Sequence, residues 1–120
     1  MEEGVLTKDA KEVALLAAEV LQAKKGQRVV VLDMRQVTLI ADYFVIASGQ
    51  TPIQVDALAE HVEAAMQAAG VPLLQRNGRQ RAHWVLLDYG SVVVHIFTEE
   101  ERQYYNLERF WGDAEVIPVG

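Results

Sequence analysis

Tyr43-Phe44-Val45-Ile46-Ala47, followed by Ser48-Gly49-Gln50-Thr51-Pro52-Ile53-Gln54, decides the fold class. The first five residues form an uninterrupted apolar run, aromatic and β-branched, which reads as a strand covered on both faces. Ser48-Gly49 ends that strand. Thr51 then offers an N-cap hydroxyl, Pro52 fits the first helical position where its missing N–H costs nothing, and Gln54 completes a capping-box pair. A buried strand feeding a capped helix is the unit from which layered α/β domains are built.

Upstream, Val29-Val30-Val31-Leu32 reads as another interior strand. It follows a helix with Thr7 as its cap and Val13, Leu16, Ala17, Val20 and Leu21 as its apolar stripe; Lys24, Lys25 and Gly26 mark its end. Downstream, Val55, Leu58, Ala59, Val62, Ala65, Met66 and Ala69 share one helical face, and Gly70 and Pro72 stop the helix. Leu73 to Ala82 reads as a short edge strand and a loop, with an Asn77-Gly78 turn and a local basic cluster of Arg76, Arg79 and Arg81. Trp84 to Phe97 is a hairpin. With Tyr89-Gly90 at its tip, Leu87 falls opposite Val92, Val85 opposite Val94 and His83 opposite Ile96. Val85, Leu87, Val92, Val94 and Ile96 then make an aliphatic face, and Trp84, Leu86, Asp88, Ser91, Val93, His95 and Phe97 a mixed aromatic and polar one. Thr98 and Glu101 cap a last helical segment, in which Tyr104, Leu107 and Trp111 share a face. Gly112 ends it, and a short extended piece follows around Val116-Ile117. The order predicts an α/β fold, a mixed β-sheet flanked by helices, in a single domain over residues 1–120.

Composition narrows the function. A chain of 120 residues, 51% apolar, has enough material for one packed core. Seventeen Asp and Glu against eleven Lys and Arg give a formal charge of −6, which argues against a protein whose main task is to neutralise phosphates. The chain has no cysteine, so disulfides, thiolate metal sites and a cysteine nucleophile are excluded. Neither a membrane-length apolar run nor a basic, apolar leader is present, and a cytoplasmic location is the expectation.

Catalytic readings find little to stand on. His61, His83 and His95 are scattered and match no metal-binding spacing, so no metal and no cofactor is expected. Ser48 lacks the preceding glycine of a nucleophile elbow. Ser48-Gly49 before a helix N-terminus does look like a phosphate grip of nucleotidyltransferases, yet after Ser48 no predicted strand carries the paired Asp-x-Asp that two-metal transfer needs. Arg76, Arg79 and Arg81 beside Trp84 suggest at most a peripheral RNA contact. Both tryptophans and three of the four tyrosines lie between Trp84 and Trp111, interleaved with Asp88, Arg102 and Glu108, the mixture that protein interfaces favour. Trp84 and His95 are expected to project from the mixed face as surface anchors.

Asp42 to Gly49, Gln54-Val55, Trp84 to Gly90, Val92 to Phe97 and Tyr105 to Trp111 together resemble the ribosomal silencing factor family, also called RsfS or Iojap, over about residues 5–115. The resemblance implies a nucleotidyltransferase-like fold lacking catalytic carboxylates and no enzymatic activity. It implies binding to the large ribosomal subunit through ribosomal protein uL-fourteen, a steric block to joining of the small subunit when nutrients are scarce, and a homodimer in free solution. It also implies a bacterial member, since organelle relatives carry targeting extensions. On that basis Trp84, Tyr89, His95, Tyr104, Tyr105 and Trp111 are expected to supply apolar contact, and Asp88 and Glu108 to meet basic groups of the partner. A nucleotide binder using Ser48 and Gly49, and a factor that acts on assembling large subunits, stand as alternatives.

Overall fold

The computed structural model describes residues 9–78, 82–105, 112 and 114–119. Helix α1 (Ala10–Ala23) leads into strands β1 (Gln27–Asp33) and β2 (Tyr43–Gly49), then α2 (Pro52–Ala68), β3 (Gln75–Asn77), β4 (Trp84–Asp88), β5 (Val92–Thr98), α3 (Glu99–Tyr105) and β6 (Glu115–Ile117). The strands form one six-stranded sheet in the order β3-β4-β5-β2-β1-β6. Only β2 and β5, at its centre, run parallel; the other neighbours are antiparallel. That parallel pair is possible because α2, β3 and β4 intervene in the chain and bring it back in the same direction. The expected mixed, helix-flanked sheet is what forms.

Local chemistry differs from expectation at three places. Asp9, not Thr7, caps α1: its carboxylate accepts from the Glu12 amide at 2.8 Å while the Glu12 side chain accepts from the Asp9 amide, a reciprocal capping box. β2 ends at Gly49, as expected, but Ser48 and Gly49 are themselves paired strand residues, in register with Phe97 and Thr98, so the strand runs two residues past the apolar run. The hairpin is shifted by two residues: Leu87 pairs with Val94 and Val85 with Ile96. Its tip is Gly90-Ser91, where Gly90 takes a left-handed φ of 92° and its amide donates to Asp88 Oδ1 at 2.8 Å. A shift of two preserves which side chains share a face, so the aliphatic and mixed faces survive the error.

The aliphatic face carries the main core. Val85, Leu87, Val92, Val94 and Ile96 join Val31, Val45 and Ala47 beneath α1 and α2, which contribute Val13, Ala17 and Leu21, and Val55, Leu58, Val62 and Met66. Each of the larger of these side chains, Val, Leu, Ile and Met, favours folding by about 1.5–3 kcal/mol when fully withdrawn from water, before the opposing chain entropy is counted. On the opposite face a smaller set, Leu32, Met34, Ile46 and Phe97, is buried together with parts of Val30, Phe44 and Ala114. The short helix α3 packs against β2 and β5 at that same level.

Candidate functional site

Strand alternation sends Trp84, Leu86 and Asp88 of β4 to the face away from α1 and α2, beside Val93, His95 and Phe97 of β5 and Phe44 of β2. Trp84 stands directly across from Phe97 and Leu86 across from His95. The aromatic rings interlock: Trp84 and Phe97 lie 4.8 Å apart between centroids, Phe44 meets His95 edge-on at 4.8 Å, and His95 stacks on Phe97 at 6.0 Å. Trp84 remains 40% exposed above this floor. Its indole N–H donates to His95 Nδ1 at 3.3 Å.

His95 does not project as the hairpin pattern suggested. It is 5% exposed, flanked by larger rings on both neighbouring strands, and burial pushes its imidazole pKa down to about 4. Tyr89 is likewise displaced from the expected surface. Because the hairpin tip lies one residue later, Tyr89 follows Val85 and Leu87 onto the aliphatic face and is buried in the main core. Its hydroxyl has no hydrogen-bond partner among the described residues, and burial, with the Glu63 carboxylate nearby, pushes its pKa up to about 12. Asp88 stays half-buried on the mixed face, one carboxylate oxygen spent on the turn. Tyr104 and Tyr105 close α3, but their side chains, like the whole of Glu108 and Trp111, lie outside the described residues.

A second constellation escaped the sequence reading. The buried Ser48 hydroxyl donates to Glu99 Oε1 at 2.7 Å and accepts from Arg102 Nη1 at 3.0 Å. The same Arg102 nitrogen donates to the Arg28 carbonyl at 2.9 Å, and Arg28 in turn pairs with Glu99 Oε2 at 2.9 Å. Burial disfavours the charged Glu99 carboxylate, but the Ser48 hydroxyl, the Gln103 amide and Arg28 outweigh it and hold its pKa below the ordinary value. Arg102, read from sequence as an interface arginine, is 1% exposed and fastens α3 to the sheet. Ser48, read as a possible phosphate grip, turns its hydroxyl inward. A polar residue at the end of an apolar strand, and an acid and a base in the short helix after β5, were the available signals; nothing in the linear pattern joined them.

The basic cluster is also altered. Arg76 lies on the helix side of the sheet, where its buried guanidinium bonds Asp56 at 2.5 Å, Glu63 at 2.8 Å and the Gly78 carbonyl at 2.9 Å. It is therefore not offered to RNA; Arg79 and Arg81 lie outside the described residues. Among the described residues no three His, Cys, Asp or Glu side chains converge as a metal site would require, and no helix is long and apolar enough to cross a membrane.

The family model described as "Ribosomal silencing factor during starvation" matches residues 7–120. The chain belongs to the ribosomal silencing factor family. A ribosomal silencing factor RsfS from Halalkalibacterium halodurans is 42% identical over 90% of this chain and 92% of its own. A crystal structure of a protein from Chromobacterium violaceum superposes with a TM-score of 0.84 at 35% identity, covering 88% of each chain. A more distant relative, the mouse protein named "Mitochondrial assembly of ribosomal large subunit protein 1", is 24% identical over 80% of this chain and 43% of its own length. Membership of this regulatory, non-enzymatic family gives the RsfS domain a ribosome-associated silencing role. On the mixed face Trp84 is the exposed aromatic, with Leu86 and Asp88 half-buried beside it.

Proposed function

We propose that this RsfS domain represses translation by seating its mixed sheet face on ribosomal protein uL-fourteen of the large subunit, where it sterically prevents the small subunit from joining under nutrient limitation. The observation that carries the reading is Trp84: a large indole 40% exposed on a floor of buried rings, flanked by half-buried Leu86 and Asp88. Rigid aromatic anchors of this kind dominate the energetics of protein interfaces. In the proposed contact Trp84 gives apolar area and Asp88 meets a basic group, joined by Tyr104, Tyr105, Glu108 and Trp111 from the chain that follows. His95 supports the surface from beneath, whereas Tyr89, buried on the opposite face, is left out of the contact. An acidic domain, −6 overall, is steered towards a basic ribosomal protein, and two bodies cannot occupy one bridge surface. A homodimer in free solution would use the same exposed face, and a cytoplasmic location follows from the same reading.

Likeness to the nucleotidyltransferase fold belongs to this proposal as well, with phosphate gripping lost, since Ser48 is spent on Glu99 and Arg102. The assembly reading draws on the name of the mouse relative alone. Trp84→Ala tests the main reading: affinity for isolated large subunits should fall by about tenfold or more, and joined ribosomes should reappear in sedimentation profiles. Unchanged affinity in a folded variant refutes the contact. A wild-type protein that binds large subunits but never lowers the joined fraction refutes the joining block and moves the function to assembly.

A further inference from the structure

We infer that His95 is a positioning residue for recognition: it acts through Trp84, fixing the indole with its N–H turned into the sheet so that a carbon face is what the partner meets. The inference rests on the proposed contact at Trp84 and adds the means by which that contact is prepared. An indole N–H can only donate, so His95 Nδ1, 3.3 Å away, must be the acceptor and the neutral ring keeps its own proton on Nε2. His95 cannot swing to follow a mobile indole, because Phe44 abuts it at 4.8 Å and Phe97 stacks on it at 6.0 Å, nearly parallel at 8°. Phe97, 4.8 Å from the indole, supports the same orientation from below.

Two consequences for binding follow. An exposed tryptophan that must be frozen on association loses rotamer freedom at that step, and an indole already tethered has lost it during folding. The partner surface also needs no acceptor for the indole N–H. What fits over a tethered carbon face is an aliphatic stem or a cation from Lys or Arg, which suits a basic protein surface.

The test uses ¹⁵N-indole-labelled protein, with the Trp84 signal identified by its absence in Trp84→Phe. His95→Leu keeps apolar bulk and removes the acceptor; His95→Asn keeps an acceptor near the Nδ1 position. In the Leu variant the Trp84 indole proton should exchange with solvent about tenfold faster and affinity for isolated large subunits should fall about fivefold, as expected for one lost hydrogen bond. His95→Asn should restore both, a rescue that a merely structural role would not produce. In a Trp84→Phe background, His95→Leu should change affinity less than about twofold, because the coupling runs through the indole N–H. A freed indole with wild-type affinity, or an equal loss in the Trp84→Phe background, overturns the inference. If His95→Leu does not fold, Trp84→Phe alone, with ring kept and N–H removed, should lose about fivefold, and no loss overturns it. Failure of the contact itself reads differently: Trp84→Ala then binds as wild type while the indole exchange rates still report the tether.

Discussion

Arg102→Met removes a buried guanidinium while nearly keeping its volume, and its effect can be worked from its bonds to the Arg28 carbonyl and to Ser48, with the Arg28–Glu99 pair beside them. The Arg28 carbonyl loses the donor at 2.9 Å, and an unsatisfied buried carbonyl costs about 1–3 kcal/mol. Ser48 Oγ loses the donor at 3.0 Å, a bond to a charged group worth about 1.5–3 kcal/mol. Glu99 keeps Arg28, whose side chain is half exposed, so that pair adds less than about 1 kcal/mol either way. Methionine recovers part of this sum, because burying an uncharged side chain avoids the desolvation that the guanidinium suffered. The net expectation is a loss of roughly 2–4 kcal/mol. Urea unfolding at pH 7, followed by far-UV circular dichroism, should show the midpoint falling by about 1–3 M with little change in slope. Ser48→Ala should cost less, about 1–2 kcal/mol, and the double variant should fall short of additivity by about 1 kcal/mol because both changes break one network. A loss below ~0.5 kcal/mol for Arg102→Met, or strict additivity, would show that the fastening of α3 by Arg102 and Ser48 does not hold the fold together.

Two further measurements probe the buried titratable groups. His95 titrates near 6.5 when unfolded and about 4 when folded, so between those values the unfolded chain binds more protons and stability is lost as pH falls from 6.5 towards 4, by about 3 kcal/mol at the limit. Comparing unfolding free energies of the wild type and His95→Leu across that range isolates the effect, and parallel pH curves would contradict it. Tyr89→Phe should leave stability unchanged or raise it by up to about 1 kcal/mol, because it deletes a buried hydroxyl with no partner among the described residues; a loss above ~1 kcal/mol would mean that the hydroxyl is satisfied in solution.

What the sequence made legible was what repeats at the period of an element. The strand from Tyr43, the capped start of α2 and both hairpin faces follow from periodicity and cap chemistry that act over a few residues. Register did not follow, since Asp88 and Gly90 build a turn one residue later than the Tyr89-Gly90 pair suggested, and a two-residue slip leaves the face pattern intact. That slip still sent Tyr89 from the expected surface to the core. His95 and Arg102 show a different limit. Both are polar residues placed where a surface role is the natural reading, and both are buried by neighbours far away in sequence: Phe44 and Trp84 around His95, Ser48 and the Arg28 carbonyl around Arg102. Trp84 was singled out by residue type and face alone, and its exposure agrees with that reading because β4 has only the three-residue β3 beyond it.

Pairing of the arginines sharpens what a charge of −6 means for a protein that works on a polyanionic particle. Arg28 is matched by Glu99, Arg35 by a two-point contact with Asp33, and Arg76 by Asp56 and Glu63, while Arg102 is buried against Ser48 and a backbone carbonyl. Each described arginine is thus engaged within the fold, and a guanidinium already bonded to a carboxylate gains little by exchanging it for a phosphate. Lys11, Lys24 and Lys25 are the exposed cations left among the described residues, and they lie along and just beyond α1, on the side of the sheet away from Trp84. Among the described residues the mixed face therefore offers no unpaired cation, and its exposed aromatic is Trp84. Such a surface favours a basic protein patch over RNA phosphates, in keeping with the proposed local footprint on a particle whose bulk would repel the domain. The corresponding expectation is a salt response of protein–protein type: raising salt should weaken binding modestly, by screening one steered contact, without the steep loss that release of many phosphate counterions would impose. A steep logarithmic slope, equivalent to several phosphates neutralised, would place the contact on RNA and overturn the assignment of the mixed face.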